Sequence, residues 1–155
     1  SPSVVDYAPR HRQGYLELLR ETWGDRAISA EEFDWWFDEA PEGSVRSVVV
    51  HEGEVVAVAG HSLARIAVGP AADERLAQFS VHAVTAPSFR GRGLFRALEA
   101  RHEEEGVSRS STGALAFASG PTRPLFLGPL DWTQIDRRRV WVRPLRFWCI
   151  FRGYA

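Results

Sequence analysis

The sequence predicts an α/β domain in which a mixed, mostly antiparallel central sheet carries helices on both faces. Its 155 residues fill one domain of ordinary size. Hydrophobic residues make up 45% and charged residues 25%, as is typical of a globular chain with one packed core. Valine-rich segments alternate with segments whose apolar residues recur every three or four positions, in the order β-α-α-β-β-β-α-β-α-β-β. We therefore expect residues 1–155 to form a single domain, with residues 146–155 as a C-terminal extension.

The first third of the chain predicts one strand and two helices. Ser3–Ala8 is suited to a short strand, and Pro9 at a first helical position opens a helix that runs to Trp23. Ser29 and Glu32 have the spacing of a capping box, in which each side chain accepts a hydrogen bond from the other residue's backbone amide. A second, aromatic-rich helix should begin there.

Strands dominate the middle of the chain. Val45–His51 and Val55–Arg65 predict a hairpin around the turn Glu52-Gly53-Glu54, and Leu76–Ala86 predicts a further strand. The remaining predicted elements are a helix from Gly91 to Glu105 stopped by Gly106, a strand Thr112–Ala118, a helix Pro121–Gly128, and a terminal hairpin of Trp132–Ile135 with Arg139–Ile150.

Composition excludes several classes of function. The net charge of −1 gives no general attraction to nucleic acid or to an anionic membrane. A single cysteine, Cys149, excludes an internal disulfide and a cysteine-based zinc site. No apolar run approaches the about 20 residues that span a bilayer. His11, His51 and His102 are scattered without the spacing of metal ligands, so we expect no metal. We also expect a cytoplasmic protein.

The segment from Ser80 to Phe95 carries the strongest functional signal. A strand leads through a loop with two glycines, Gly91 and Gly93, into the start of a helix. Unpaired backbone amides and the helix dipole favour an anion at such a point, and glycine lets the backbone approach a phosphate closely. The phosphate-binding P-loop requires a lysine that this chain lacks, and the dinucleotide fingerprint fails at Arg96.

The segment resembles the acetyl-CoA-binding signature [Q/R]-x-x-G-x-[G/A] of the GNAT superfamily of N-acetyltransferases. Arg90, Gly91, Arg92 and Gly93 match the signature, whereas Phe95 stands where Gly or Ala is usual. The predicted element order is similar to that of a GNAT domain over nearly the whole chain. Further along, Leu130-Asp131-Trp132 resembles the family's L-G-F/W step, with Asp131 in place of Gly.

The resemblance implies where the coenzyme would bind. Pantetheine would lie along the strand, and the pyrophosphate would lie on backbone amides at the helix start. The implied coenzyme-binding residues are Ala83, Val84, Thr85, Arg90, Gly91, Arg92, Gly93, Leu94, Phe95 and Arg96. The implied activity is transfer of an acetyl or other acyl group from acetyl-CoA to a primary amine of a small molecule. The alternatives are a coenzyme-A-binding module with weak or no turnover, within a larger protein, and an interaction domain whose cleft is incidental.

Catalytic candidates are fewer. The family's usual acid is a tyrosine about five residues before the L-G-F aromatic, and that position is Leu127 here. Ser119 and Tyr154 are the remaining hydroxyls that such a fold places within reach. His82 and His61 are candidate bases because an imidazole titrates near neutral pH, and an ordinary strand histidine is the alternative for each. Strand alternation turns His82 away from the site unless a bulge resets its phase.

The aromatic residues of the two-helix segment suggest a contact with the acceptor molecule. By the resemblance, Trp23, Phe33, Trp35, Trp36 and Phe37 border the acceptor site, where they would favour an apolar or cationic acceptor, although several should be core.

The C-terminal extension is apolar on both strand faces. Phe147, Cys149 and Phe151 alternate with Trp148 and Ile150. Such a strand must be covered on both sides, either by a second copy or missing domain or by the chain's own core. A homodimer or domain partner through this strand is therefore one expectation.

Overall fold

A computed structural model describes residues 2–118 and 120–136 of the chain. Several sequence expectations fall outside these ranges. They are the candidate catalytic residue Ser119, the candidate Tyr154, the predicted strand Arg139–Ile150 and the docking role of residues 146–155.

In the described part of the chain, six strands form one sheet in the order β1-β2-β3-β4-β6, with β5 also paired to β3. They are β1 Ser3–Asp6, β2 Ser44–His51, β3 Glu54–Val68, β4 Asp73–Ser80, β5 Val84–Thr85 and β6 Ala114–Ala116. Every pairing is antiparallel except that of β4 with β6, which is parallel. The predicted mixed, mostly antiparallel sheet is confirmed.

Helices cover both faces of the sheet, as predicted. They are α1 Arg12–Trp23, α2 Ala30–Phe37, α3 Leu94–Ser108 and α4 Arg123–Leu127. Adjacent strand residues belong to different cores: Val48 packs with Tyr15 and Phe33 under α1 and α2, whereas Val49 packs with Leu98 of α3. Because side chains alternate along a strand, α1 and α2 lie on one face and α3 on the other. None of the described helices is both long and apolar enough to cross a membrane.

The start of α2 confirms the capping box. The Glu32 amide donates to the Ser29 hydroxyl at 3.1 Å, and the Ser29 amide donates to the Glu32 carboxylate at 2.7 Å. These two bonds pair amides that the first helical turn leaves without partners. They fix the point at which the aromatic residues of α2 begin.

The predicted continuous strand Leu76–Ala86 is wrong, because a β-bulge divides it. Ser80 of β4 pairs with His61, and Val84 of β5 pairs with Val58. Three residues between the two strands therefore face only two residues of β3. One extra residue in a strand bends it and shifts the phase of its side chains. The sequence carries no sign of this bulge, because apolar and polar residues alternate at positions 81–83 as they would in an unbroken strand.

Three other boundaries differ from expectation. Helix α3 begins at Leu94 rather than Gly91, because the two glycines adopt left-handed backbone angles before it. Gly106 lies inside α3 instead of ending it, and a side chain there would collide with the carboxamide of Gln78. Trp132–Ile135 forms no strand.

Gly60 shows how tightly α1 and α2 pack on the sheet. A Cβ atom at Gly60 would lie 2.6 Å from two carbon atoms of the Phe37 ring and 3.1 Å from the Tyr15 hydroxyl oxygen. Both rings are buried, so neither can move aside freely. We expect Gly60→Ala to lower the free energy of unfolding by about 1–3 kcal/mol, measured by chemical denaturation. Gly113→Ala is the control, because no atom lies within 4 Å of its added Cβ. Equal stability of the two variants would contradict this packing.

Candidate functional site

β5 has no partner strand on its second edge among the described residues, and we call the gap between that edge and β6 the cleft. The parallel pairing with β6 reaches only from Gln78 to Ser80 of β4, and after the bulge β5 pairs, within the described part of the chain, with β3 alone. Ala86 donates its amide to the Val56 carbonyl on the β3 side at 2.9 Å. The Thr85 carbonyl instead accepts a hydrogen bond from the Arg90 side chain at 3.1 Å, so it is turned away from β3. The edge of β5 that faces the cleft thus presents backbone groups to a ligand.

The glycine loop at the start of α3 has the geometry of an anion cradle, the name we give to the backbone of residues 91–96. Gly93 is the N-cap residue with φ of 74°, and Gly91 has φ of 73°. A Cβ atom added to either glycine would meet no atom of the described residues within 4 Å, so the space above both is open there. The first bond of the helix joins the Ala97 amide to the Gly93 carbonyl at 3.0 Å. The amides of residues 94–96 precede that bond and are free to bind an anion.

The two arginines of the loop hold its shape and add positive charge. Besides its bond to Thr85, Arg90 is exposed beside the cradle. Arg92 donates to the Ser88 carbonyl at 2.9 Å, and its guanidinium lies 4.8 Å from the centre of the Phe89 ring. Both side chains are therefore positioned by local contacts without an acidic partner in these contacts. Their charge reinforces the helix dipole at the same point.

His82 faces the α1 and α2 side of the sheet because the bulge resets its phase. Its ring centre lies 5.9 Å from that of Trp23 and 6.2 Å from those of Trp36 and Phe37. Its Nε2 atom is buried and has no hydrogen-bond partner among the described residues. The Tyr15 hydroxyl donates to the His82 carbonyl at 3.0 Å, which fixes the bulge from below.

The surroundings of His82 keep its imidazole neutral. Burial lowers the pKa of His82 below its ordinary value of 6.5, and the nearby charge of Glu32 opposes that effect only in part. A neutral ring with an unpartnered nitrogen can accept a proton. His82 is thus a neutral, buried imidazole on the α1 and α2 side of the sheet, and its Nε2 atom is able to accept a proton.

Trp36, whose ring contacts His82, belongs to a chain of four aromatic side chains that we call the aromatic surface: Trp35, Trp36, Phe79 and Phe117. The rings of Trp36 and Phe79 are stacked with centres 6.4 Å apart, and Phe117 meets Phe79 edge-on at 5.3 Å. Trp35 is 60% exposed and Phe117 is 69% exposed. Sequence reasoning found the two tryptophans but missed both phenylalanines, which lie on β4 and just beyond β6.

The other aromatics of the predicted rim belong to the core. Phe33 and Phe37 are buried between α2 and the sheet, and Trp23 is partly buried against them. Their number agrees with the expectation that several of the five rings are structural. Of the five predicted rim residues, Trp35 is exposed and Trp36 is partly buried against the core.

His61 is excluded as a base at this cleft. It is fully buried on the opposite face of the sheet, under α3. Its Nδ1 lies 3.1 Å from the Gln78 side-chain oxygen, and its Nε2 lies 3.1 Å from the Glu99 carboxylate. The ring of His102 is next to it, with centres 4.5 Å apart. Burial lowers the pKa of His102 to about 3.

Tyrosine is absent from the cleft in the described part of the chain. Tyr15 and Tyr7 lie in the aromatic core under α1 and α2, where burial raises the pKa of both hydroxyls. Leu127, at the position expected for an acid, is part of α4 and carries no proton to donate. Among the described candidates, His82 and the coenzyme segment follow one another along the bulge, β5 and the glycine loop, whereas His61 lies on the opposite face of the sheet.

No family model matches the chain, and no curated protein matches it. Solved structures do. A Trypanosoma brucei acetyltransferase is 21% identical with a TM-score of 0.72, covering 92% of this chain and 100% of that one. The aminoglycoside acetyltransferase AAC(6')-Iy, solved with a CoA-containing bisubstrate analogue, is 16% identical with a TM-score of 0.73, covering 93% and 99%. Glucosamine-6-phosphate N-acetyltransferase from Arabidopsis thaliana is 16% identical with a TM-score of 0.72, covering 92% and 98%. At these identities the likeness establishes the fold, which is the GNAT fold.

Proposed function

We propose that this protein is an acetyl-CoA-dependent N-acetyltransferase that acts on a primary amine of a small molecule. The observation that carries the proposal is the bulge at residues 81–83. It opens the edge of β5, turns His82 toward the aromatic surface and lies one short loop before the anion cradle at Gly93. One cleft therefore combines places for an extended chain, a phosphate and an amine.

The residues present suit coenzyme A in two respects. The open backbone edge at Thr85 can exchange hydrogen bonds with the amide groups of pantetheine, much as an added strand does. The amides at the start of α3 and the charges of Arg90 and Arg92 suit its pyrophosphate. The fold supports the same choice, because AAC(6')-Iy was solved in complex with CoA.

The chemistry needs a neutral amine beside the thioester. The amine nitrogen attacks the thioester carbonyl carbon, a C–N bond forms, the C–S bond breaks, and the sulfur leaves with the electron pair. We assign the proton that the amine loses to His82 Nε2, and because this atom is buried, a water molecule or a turn of the side chain must connect it to the amine. Burial lowers the pKa of His82, so its ring is neutral at neutral pH, which is the form that accepts a proton.

The departing thiolate receives no proton from a tyrosine of the described residues. Leu127 has no proton to donate, and the Tyr15 hydroxyl already donates its hydrogen bond to the His82 carbonyl. This observation favours the second candidate function, a module that binds coenzyme A and turns over slowly or not at all. Thiolate is a workable leaving group without an acid, so turnover remains the first expectation.

Two measurements separate these functions. Calorimetric titration with acetyl-CoA tests the cleft, and release of free thiol over a panel of primary amines tests transfer. Binding together with amine-dependent thiol release is the expected result. Binding without release for every amine would establish the module, and absence of binding would overturn both.

The aromatic surface should set the preference among amines. We expect Phe117→Ala to raise KM about 3- to 10-fold for amines that carry an aromatic or cationic group, since one aromatic contact contributes about 0.5–1.5 kcal/mol. Small aliphatic amines should keep their KM. Val107→Ala, an exposed apolar residue at the far end of α3, is the control. A uniform change for all amines would show that Phe117 acts on folding rather than on the acceptor.

A further inference from the structure

His61, Glu99 and His102 form a buried cluster that the proposed transfer reaction does not use. His61 lies on β3, and Glu99 and His102 lie three residues apart on one side of α3. All three side chains are buried, and one nitrogen or oxygen atom of each lies within 4.8 Å of the others. The cluster is on the face of the sheet opposite His82.

Hydrogen bonds fix which ring nitrogen of His61 carries the hydrogen and which one faces the cluster. The Gln78 side-chain oxygen, 3.1 Å from Nδ1, can only accept, so Nδ1 carries the hydrogen. The Nε2 atom then turns its lone pair toward the Glu99 carboxylate 3.1 Å away. Two acceptors in contact require a proton or a cation between them.

A single shared proton would leave the rest of the cluster unpaired. The second carboxylate oxygen of Glu99 and both ring nitrogens of His102 are buried without hydrogen-bond partners in the described part of the chain. Buried polar atoms are almost always paired, so this concentration is unusual. A metal cation satisfies the carboxylate and a nitrogen of each imidazole at once.

We propose that His61 Nε2, the Glu99 carboxylate and a ring nitrogen of His102 bind one divalent transition-metal ion, with zinc the best match. Two imidazole nitrogens and one carboxylate oxygen are a ligand set that zinc accepts. Zinc–ligand bonds of about 2.0–2.2 Å place the ligand atoms of a tetrahedral site about 3.4 Å from one another. The corresponding atoms of the cluster lie within 4.8 Å of one another, so the side chains must rotate toward each other to bind the ion. Gln78 is the outer partner that orients His61.

The site has three protein ligands, so a water molecule would complete the tetrahedron, and its position favours a structural role. It is sealed between β3 and α3, away from the cleft, and so ties the helix whose start forms the anion cradle to the centre of the sheet. Local spacing could not reveal it, because His61 and Glu99 are 38 residues apart in the chain. If the following test succeeds, the sequence-based expectation of no metal is wrong. The proposal of this metal site does not depend on the proposed transferase activity.

The test is metal binding by the purified full chain. The protein is treated with chelator, its thermal unfolding is followed with and without Zn²⁺, and Co²⁺ is added as a spectroscopic probe. We expect one zinc per chain, a higher unfolding temperature with Zn²⁺, and visible absorption bands of Co²⁺ bound to nitrogen and oxygen. Absence of stoichiometric zinc binding and of any thermal shift in the wild type would overturn the proposal.

Variants separate ligation from packing. Glu99→Gln and His102→Gln should each abolish the thermal shift, and Gln78→Leu should weaken Zn²⁺ binding about 10- to 100-fold, as outer-partner changes typically do. His51→Gln, a histidine outside the cluster, should bind Zn²⁺ as the wild type does. Retention of full Zn²⁺ affinity by a folded Glu99→Gln variant would place the metal elsewhere and overturn the assignment.

Discussion

Replacing Gly93 with aspartate should abolish binding of coenzyme A. The new carboxylate would stand in the open space above the N-cap of α3, where the proposed pyrophosphate lies. Two like charges about 4 Å apart near a protein surface repel by about 4 kcal/mol. We expect the affinity measured by calorimetry to fall about 100- to 1,000-fold, the lower figure at physiological salt, where screening is greater.

Gly93→Asn is the matched control for this variant. Asparagine has nearly the same shape, tolerates the left-handed backbone at φ of 74°, and can cap the helix as aspartate does, but it carries no charge. A modest loss in Gly93→Asn beside a large loss in Gly93→Asp would isolate the anion as the cause. Arg90→Ala should be milder than Gly93→Asp, because backbone amides supply most of the cradle. If Gly93→Asp bound coenzyme A with wild-type affinity, the proposal that the pyrophosphate binds at the start of α3 would be wrong.

Features encoded by neighbouring residues were predictable from the sequence. The capping box depends on Ser29 and Glu32 alone, and its two hydrogen bonds are present. The cradle depends on two glycines, which adopt positive φ at the least steric cost, so its place at the start of α3 could also be foreseen. In both cases the physical cause lies within one turn of the chain.

Features that depend on partners distant in sequence were not predictable. The bulge exists because β5 meets β3 one residue out of step with β4, and that register is set by packing over the whole sheet. The cluster of His61, Glu99 and His102 is joined only when α3 folds onto β3. Hydrophobic periodicity reports which face of an element is buried, but not which polar groups meet there.

The bulge also decides which face of the sheet His82 occupies, a point that strand alternation alone left dependent on such a bulge. If His82 is the base, His82→Gln should lower kcat about 100- to 10,000-fold while leaving the affinity for acetyl-CoA unchanged. Glutamine fills similar space among the rings of Trp23 and Trp36 but does not take up a proton at neutral pH. Steady-state kinetics with the best amine of the panel, together with calorimetry, measure both quantities.

The pH dependence gives the sharper form of this test. The base must be neutral to act, so wild-type activity should fall as the pH drops through the pKa of His82, and burial places that pKa below 6.5. Activity should therefore persist at pH 6.5 and decline on the acid side of it, and His82→Gln should lack this decline. His51→Gln, whose ring lies against Phe89 away from the aromatic surface, should keep the wild-type profile. An acid limb that survives in His82→Gln would assign proton removal to a carboxylate or to a chain of water molecules instead.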